Sequence, residues 1–492
     1  MERVDVAIIG SGFGGLGMAV ELQKAGVGPF VILEREDRVG GTWRDNTYPG
    51  AACDVTSVLY SFSFHPYVWS RKFPTQPEIL EYIEEVVDAY GLRPSIRFDA
   101  EVADVIYSER TGRWTVTLSD GRVFDARVVV SSVGQLNRPA MPQIEGVGSF
   151  DGPAFHSARW EHNVELAGKR VGIIGTGASV IQFGPKVAER ADSTMIFQRS
   201  APYILEKKDP ANSPLKQRIY GLIKKAQLPA RAKTFLFGEF LGMGILGNKK
   251  IRKRLTDLCV TNMEEIISDP QLRAQCTPDY EVGCKRVLFA EDWYQTLLRD
   301  DVELVTQSIA SITPNGVMTS DGVTHECDVL IYGTGFEATG FLQPMNVVGA
   351  QGKSLEERWE DGASAYRGVA VSGFPNFFIL YGPNTNLGSN SIIYMLESQA
   401  RYVASLLAKA QGAALGTLSV RPGSERSWQE MIDRFSGPTS WVSGCSSWYT
   451  TGGKNTNNWP RATWRYRQLM KDVDLLDYDV KPLQSFDKVS AS

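Results

Sequence analysis

Gly10-Ser11-Gly12-Phe13-Gly14-Gly15 follows the short apolar run at residues 4–9 and opens an apolar helical stretch through Leu16, Ala19, Val20 and Leu22 to Lys24. Residues 30–33 then read as a second strand. A strand, a glycine turn, a helix and a further strand make the first unit of a doubly wound parallel layer. In such a unit the glycines let a dinucleotide pyrophosphate approach the backbone, and the helix N-terminus supplies N–H donors. The pattern returns once. Residues 170–174 form a second buried run, Gly175-Thr176-Gly177-Ala178-Ser179-Val180 the turn, and residues 194–197 the next strand. Two copies, and no shorter period, predict an α/β fold with two Rossmann-like dinucleotide-binding domains.

The offsets after the two turns distinguish the ligands. Glu34 stands 24 residues after Gly10, where a carboxylate can accept hydrogen bonds from ribose hydroxyls. Arg199 stands 24 residues after Gly175, where a guanidinium can bind a 2′-phosphate that a carboxylate would repel. That sign difference assigns FAD to the first site and NADPH to the second. Val180 occupies a position where Gly or Ala is usual, and its bulk is expected to push the second helix slightly off its strand.

Around these units the chain divides into five expected segments. Residues 1–140 are the first part of the FAD domain, with a hairpin signal at Ser119-Asp120-Gly121. Residues 141–204 are the linker and the first part of the NADP domain. Residues 205–284 change character to helical spacing and higher charge, and read as a helical insertion. Residues 285–326 complete the NADP domain. Residues 327–492 return to the FAD domain through a strand at 329–332 and Gly333-Thr334-Gly335-Phe336. The stretch at 443–460, polar yet aromatic, reads as an ordered active-site loop.

Composition bounds the rest. A chain of 492 residues has 43% hydrophobic and 22% charged residues and a net charge of −4, so no general attraction to nucleic acid or anionic membrane is expected. The basic cluster at 249–254 reads as a solvated helix face. The apolar run at 235–246 is too short to span a bilayer, and no secretory apolar region opens the chain. Six scattered cysteines with no CxxC pair suit a reducing compartment and argue against structural disulfides or a zinc site. A cytoplasmic protein, monomeric or weakly homo-oligomeric, is expected. His65, His162 and His325 form no ligand spacing, and no metal is expected.

Between the two glycine motifs lies Phe150-Asp151-Gly152-Pro153-Ala154-Phe155-His156-Ser157-Ala158-Arg159-Trp160, of the form FxGxxxHxxxW. Gly40-Gly41-Thr42-Trp43, Tyr48-Pro49-Gly50 and Asp54 form a second constellation, and Cys284-Lys285-Arg286, Gly373-Phe374-Pro375-Asn376 and Ser447-Trp448-Tyr449 follow. With these motifs the chain resembles the type I Baeyer–Villiger monooxygenases over nearly its whole length. Glu161 departs from that pattern, standing where Pro or Asp is usual. N-oxygenating relatives carry Phe or Tyr in place of Trp160.

The resemblance implies an NADPH- and O2-dependent enzyme that converts ketones to esters or lactones through a C4a-peroxyflavin, with sulfoxidation as a side activity. An N- or S-oxygenating flavin monooxygenase is the alternative. It also implies the site. Arg286 is the catalytic cation, partnered by Asp54 beside the flavin. Gly10, Gly12, Gly15, Glu34, Gly41, Thr42, Trp43, Asp54 and Tyr60 face FAD. Gly175, Thr176, Gly177, Ala178, Ser179, Arg199, Ser200, Lys285, Arg286 and Trp448 face NADPH. His156 is expected to set the relative position of the two domains, acting neither as a base nor as a ligand. The partners are a small-molecule ketone and O2. The aromatic residues Trp69, Trp441, Trp448 and Trp459 are compatible with bulky or aryl ketones, and core packing explains them equally well.

Overall fold

The structure, a computed structural model, describes residues 1–444 and 447–482. The expectations for Cys445 and for part of the 443–460 loop fall outside the described residues.

Each glycine turn sits on its own sheet. In the first sheet the N-terminal strand Glu2–Ile9 lies between Phe30–Leu33 and Val123–Ser131, parallel to both, and Ile96–Arg97 extends the parallel edge. The long strand Val123–Ser131 serves two purposes. Its first half pairs antiparallel with Arg113–Leu118, closing the hairpin at Ser119-Asp120-Gly121, and its second half pairs with Phe377–Ile379. Val102–Ser108 and Asn346–Val348 complete the sheet. Its two faces are covered by separate apolar cores, one including Leu16, Val20 and Ile393, the other Val105, Trp114 and Phe377.

The second sheet has five strands, all parallel, in the order Val302–Val305, Ser193–Phe197, Arg170–Ile174, Val329–Tyr332, Ala154–His156. The strand at 329–332 was expected to return the chain to the first domain, but it pairs with Arg170–Ile174 in the second, so the crossover lies beyond Tyr332. An apolar buried strand reads alike whichever sheet receives it. The linker motif, for its part, supplies the edge strand of the second sheet, and Trp160 packs on Phe155 and Phe183 at 5.2 Å each.

Helices Pro214–Leu222, Leu228–Ile245, Lys249–Ile266 and Pro270–Cys276 make up the insertion. It is not purely helical, since Ile204–Glu206 and Leu288–Ala290 pair at its base. Cys53, Cys259, Cys276 and Cys327 are buried free thiols. Against the expectation of no structural disulfide, Cys284 is disulfide-bonded.

Candidate active site between two dinucleotide-binding domains

The first turn is built for close approach. Gly10 has φ of 99°, and a Cβ on Gly15 would collide with the Gly10 carbonyl, so only glycine lets the helix Phe13–Ala25 start this near the strand. That helix has no side-chain N-cap hydrogen bond and no acidic residue in its first turn. Its opening N–H groups are therefore free to bind an anion. Gly41 faces Gly12 across the groove, where a Cβ on Gly12 would lie 3.9 Å from the Gly41 Cα. Thr42 and Trp43 begin a short helix directly beyond.

Glu34 is buried, and its carboxylate is held by four donors. Oε2 accepts from the Ser11 N–H at 2.9 Å and the Ser11 hydroxyl at 2.6 Å, and Oε1 accepts from Arg44 Nη1 at 2.9 Å and the Glu36 N–H at 3.1 Å. The Ser11 hydroxyl is the one rotatable neutral donor of the four, and so the one a ribose hydroxyl can replace. Arg44, which fixes this carboxylate, was not singled out from the sequence. These residues fit the adenosine and pyrophosphate of FAD.

The second turn accommodates its irregular residue through a partner far along the chain. Gly175 has φ of 113°. Val180, expected to displace its helix, is fully buried and fits because Gly333 on the adjacent strand end has no side chain; a Cβ there would strike Val180 Cγ2. The helix Val180–Ala188 again has no side-chain cap and no acid in its first turn, so Ala178 and Ser179 lead into an open N-terminus. Thr176 Oγ1 donates to the Ser200 carbonyl at 3.1 Å, and Lys285 Nζ donates to the Ser200 hydroxyl at 2.7 Å. Burial lowers the Lys285 pKa, and the nearby Arg199 charge lowers it further. Arg199 and Lys285 thus place two positive charges beside Ser200, and neither forms an ion pair among the described residues. Such a pocket fits the 2′-phosphate of NADPH.

Where the two domains meet, Arg286 and Asp54 form a two-pronged pair. Arg286 Nε donates to Asp54 Oδ2 and Nη2 to Oδ1, both at 2.7 Å, and Nη1 reaches the Leu387 carbonyl at 3.5 Å. Burial works against the guanidinium charge, but the adjacent Asp54 carboxylate outweighs it and raises the Arg286 pKa above its ordinary value. Arg286 is therefore a permanent, fixed cation.

The carboxylate is positioned from the NADP side. Gln182 Oε1 accepts from the Tyr48 hydroxyl at 3.1 Å and the Ala52 N–H at 3.3 Å, while its Nε2 donates to the Ala52 carbonyl at 3.0 Å. A Cβ on Gly50 would meet the Gln182 carbonyl at 2.8 Å. The segment carrying Asp54 is thus stitched to the helix that opens the NADP site.

An aromatic shell surrounds the pair. The Trp43 indole donates to the Tyr60 hydroxyl at 2.9 Å. Tyr381 and Tyr449 lie within the electrostatic reach of Arg286, and burial raises the pKa of both, that of Tyr449 to about 12. Neither tyrosine was singled out as a site residue. Trp448 is 39% exposed, and its ring packs on that of Tyr449 with the centroids 4.5 Å apart. Beside Leu387 a cavity opens between the insertion and the C-terminal loop, lined by Glu239, Ile245, Leu387, Trp441, Trp459 and Arg461. Trp69 does not reach it, packing instead on Tyr67 and Tyr82 in the first core.

His156 Nδ1 accepts from the Ala158 N–H at 3.1 Å, and burial lowers its pKa to about 4. A neutral imidazole at the edge of the second sheet suits a structural role in the linker.

The fold and site define a class: a flavoprotein oxidoreductase with one dinucleotide site for FAD, a second for NADP and a fixed arginine at their junction. Residues 7–233 match the family model described as pyridine nucleotide-disulphide oxidoreductase. Cys53, lone, buried and with its thiol pKa raised by that burial, supplies no redox disulfide of the kind in that description. A Baeyer-Villiger monooxygenase of Streptomyces coelicolor is 42% identical over 97% of this chain and 93% of its own length. Among solved structures, an oxidized steroid monooxygenase bound to NADP is 29% identical with a TM-score of 0.88, covering 98% of this chain and 100% of its own. The OTEMO complex with FAD and NADP is 28% identical with a TM-score of 0.88, covering 97% and 99%. The chain belongs to the Baeyer–Villiger monooxygenase family.

Proposed function

We propose that this enzyme uses NADPH and O2 to insert one oxygen atom beside a ketone carbonyl, giving an ester or lactone, with Arg286 and Asp54 at the reacting centre. The observation that carries the reading is the two-pronged Arg286–Asp54 pair at the junction of the two nucleotide sites. FAD and NADPH supply the hydride and dioxygen chemistry when bound.

The chain supplies charge, position and exclusion of water. Arg286 offers a cation that needs no proton and no reorganisation, so it favours negative charge developing on the substrate oxygen. Asp54 fixes that cation in place, and the Gln182 contacts keep Asp54 registered to the NADP side. Arg199, Ser200 and Lys285 hold the 2′-phosphate. Gly10, Gly12, Gly15, Glu34, Gly41, Thr42, Trp43 and Tyr60 hold the flavin nucleotide. The cavity beside Leu387 takes the ketone, with Ile245, Leu387, Trp441 and Trp459 as its apolar lining and Glu239 and Arg461 as its charged lining.

Incubating the FAD-loaded enzyme with NADPH, a ketone panel and ¹⁸O2 tests this directly. The expected product is an ester or lactone carrying one labelled oxygen. NADPH consumption with hydrogen peroxide as the sole oxygen product, across linear, cyclic and aryl ketones, would refute the reading.

A further inference from the structure

The whole-chain charge of −4 conceals an uneven distribution. Residues 214–254 hold eleven Lys or Arg and one carboxylate, Glu239, a local charge of +10 against −14 for the remainder. The same segment exposes large apolar side chains: Leu222 is 76% exposed, Leu236 65% and Phe237 54%, with Leu215, Phe240 and Met243 also outward. Monomeric soluble proteins seldom leave contiguous apolar surface of this kind uncovered.

The helix Leu228–Ile245 explains why both faces matter. Its large apolar side chains are spread over both its inner and its outer face, with Arg231, Lys233 and Glu239 among them, where a helix covered on one side only would keep them inward. Its inner face carries Gly238 and Gly242 against Ser389 and Asn390, and Glu239, Gly242 and Ile245 line the cavity beside Leu387. Its outer face presents Leu236, Phe237, Phe240 and Met243 to solvent. Lys224, Lys225 and Lys233 stand exposed in and just before the same helix. Exposed apolar side chains beside exposed lysines that form no ion pair among the described residues match the interfacial zone of a bilayer, where hydrocarbon lies beneath anionic headgroups.

We propose that this outer face docks on an anionic lipid surface. Charge complementarity selects that occupant over a second copy of the chain, because two such faces would oppose lysines to lysines. No described helix is long and apolar enough to cross a membrane, so the contact is peripheral. The expectation of no membrane partner rested on the net charge of the whole chain, which averages this face away. One helix then separates the lipid from the cavity, a short route for a ketone dissolved in the bilayer.

Flotation of the FAD-loaded full chain with phosphatidylcholine–phosphatidylglycerol vesicles, and with phosphatidylcholine vesicles alone, tests the proposal. Binding is expected only with the anionic lipid and is expected to weaken with salt, each lysine contributing about five-fold near such a surface. Two triple variants, L236S/F237S/F240S and K224E/K225E/K233E, should each lose flotation while keeping flavin absorbance and NADPH oxidation. All six positions are outside the site described above, so failure of flotation leaves the proposed reaction untouched. No binding by the wild type, or undiminished binding by both variants, would overturn the proposal. So would conversion of a wild-type dimer to monomer by the apolar variant in light scattering, which would assign the face to a second copy.

Discussion

Gly333→Ala is the sharpest structural perturbation available, because it adds one methyl where there is no room for it. Val180 Cγ2 occupies the position that a Cβ would take, Ile174 O lies at 3.3 Å and Phe183 Cζ at 3.6 Å. Overpacking of this kind costs about 1–3 kcal/mol. The strain is relieved most easily by moving the helix Val180–Ala188 outward, and that helix opens the NADP site. With about 1.4 kcal/mol per tenfold in affinity, NADP⁺ binding should weaken about ten-fold. FAD content should be unchanged, since Gly10 and its helix sit on the other sheet. Val180→Ala alone leaves a void costing about 2 kcal/mol. The double variant should restore the fit, with a favourable coupling of at least about 1 kcal/mol. Thermal denaturation and NADP⁺ titration of the four proteins give the cycle. Additive losses, or equal loss of FAD and NADP⁺, would refute the packing argument.

Two further predictions rest on charge. Lys285→Ala removes a charge-assisted contact worth about 1.5–3 kcal/mol, so KM for NADPH should rise about ten- to a hundred-fold while KM for NADH stays nearly constant; steady-state kinetics with both cofactors decide, and a parallel change in both would contradict the 2′-phosphate assignment. His156 has its pKa lowered by burial from 6.5 to about 4. At neutral pH both folded and unfolded forms are uncharged here. As pH falls from 6.5 to 4 the unfolded chain takes up a proton that the folded chain refuses, so about 3 kcal/mol of stability is lost across that window and none below it. His156→Phe should flatten the melting temperature between pH 6.5 and 4, and an unchanged slope would refute the assignment.

The expectations for both glycine turns, Glu34 and Arg199 rest on neighbours a few residues away or at a fixed offset, whereas those for Lys285 and Arg286 rest on the family resemblance alone. The sign contrast between Glu34 and Arg199 needed no coordinates. What was not legible depends on contacts between remote segments. The fit of Val180 is decided by Gly333, the placement of Asp54 by Gln182, and the surroundings of Arg286 by Tyr381, Leu387 and Tyr449. No local spacing announces any of these. The strand Val329–Tyr332 was assigned to the wrong sheet for a related reason: its residues state that it is buried and parallel, not which neighbours it will meet. Trp69 and Trp459 look alike as sequence and both are buried in the first core, yet only Trp459 also lines the cavity.

We propose that a fixed cation at Arg286 governs oxygen insertion and not the supply of electrons. Separate half-reactions of Arg286→Ala in stopped flow test it most directly. NADPH is expected still to bleach the bound flavin, while mixing the reduced enzyme with O2 and ketone is expected to yield hydrogen peroxide and no ester. Ester formation at the wild-type yield would contradict it.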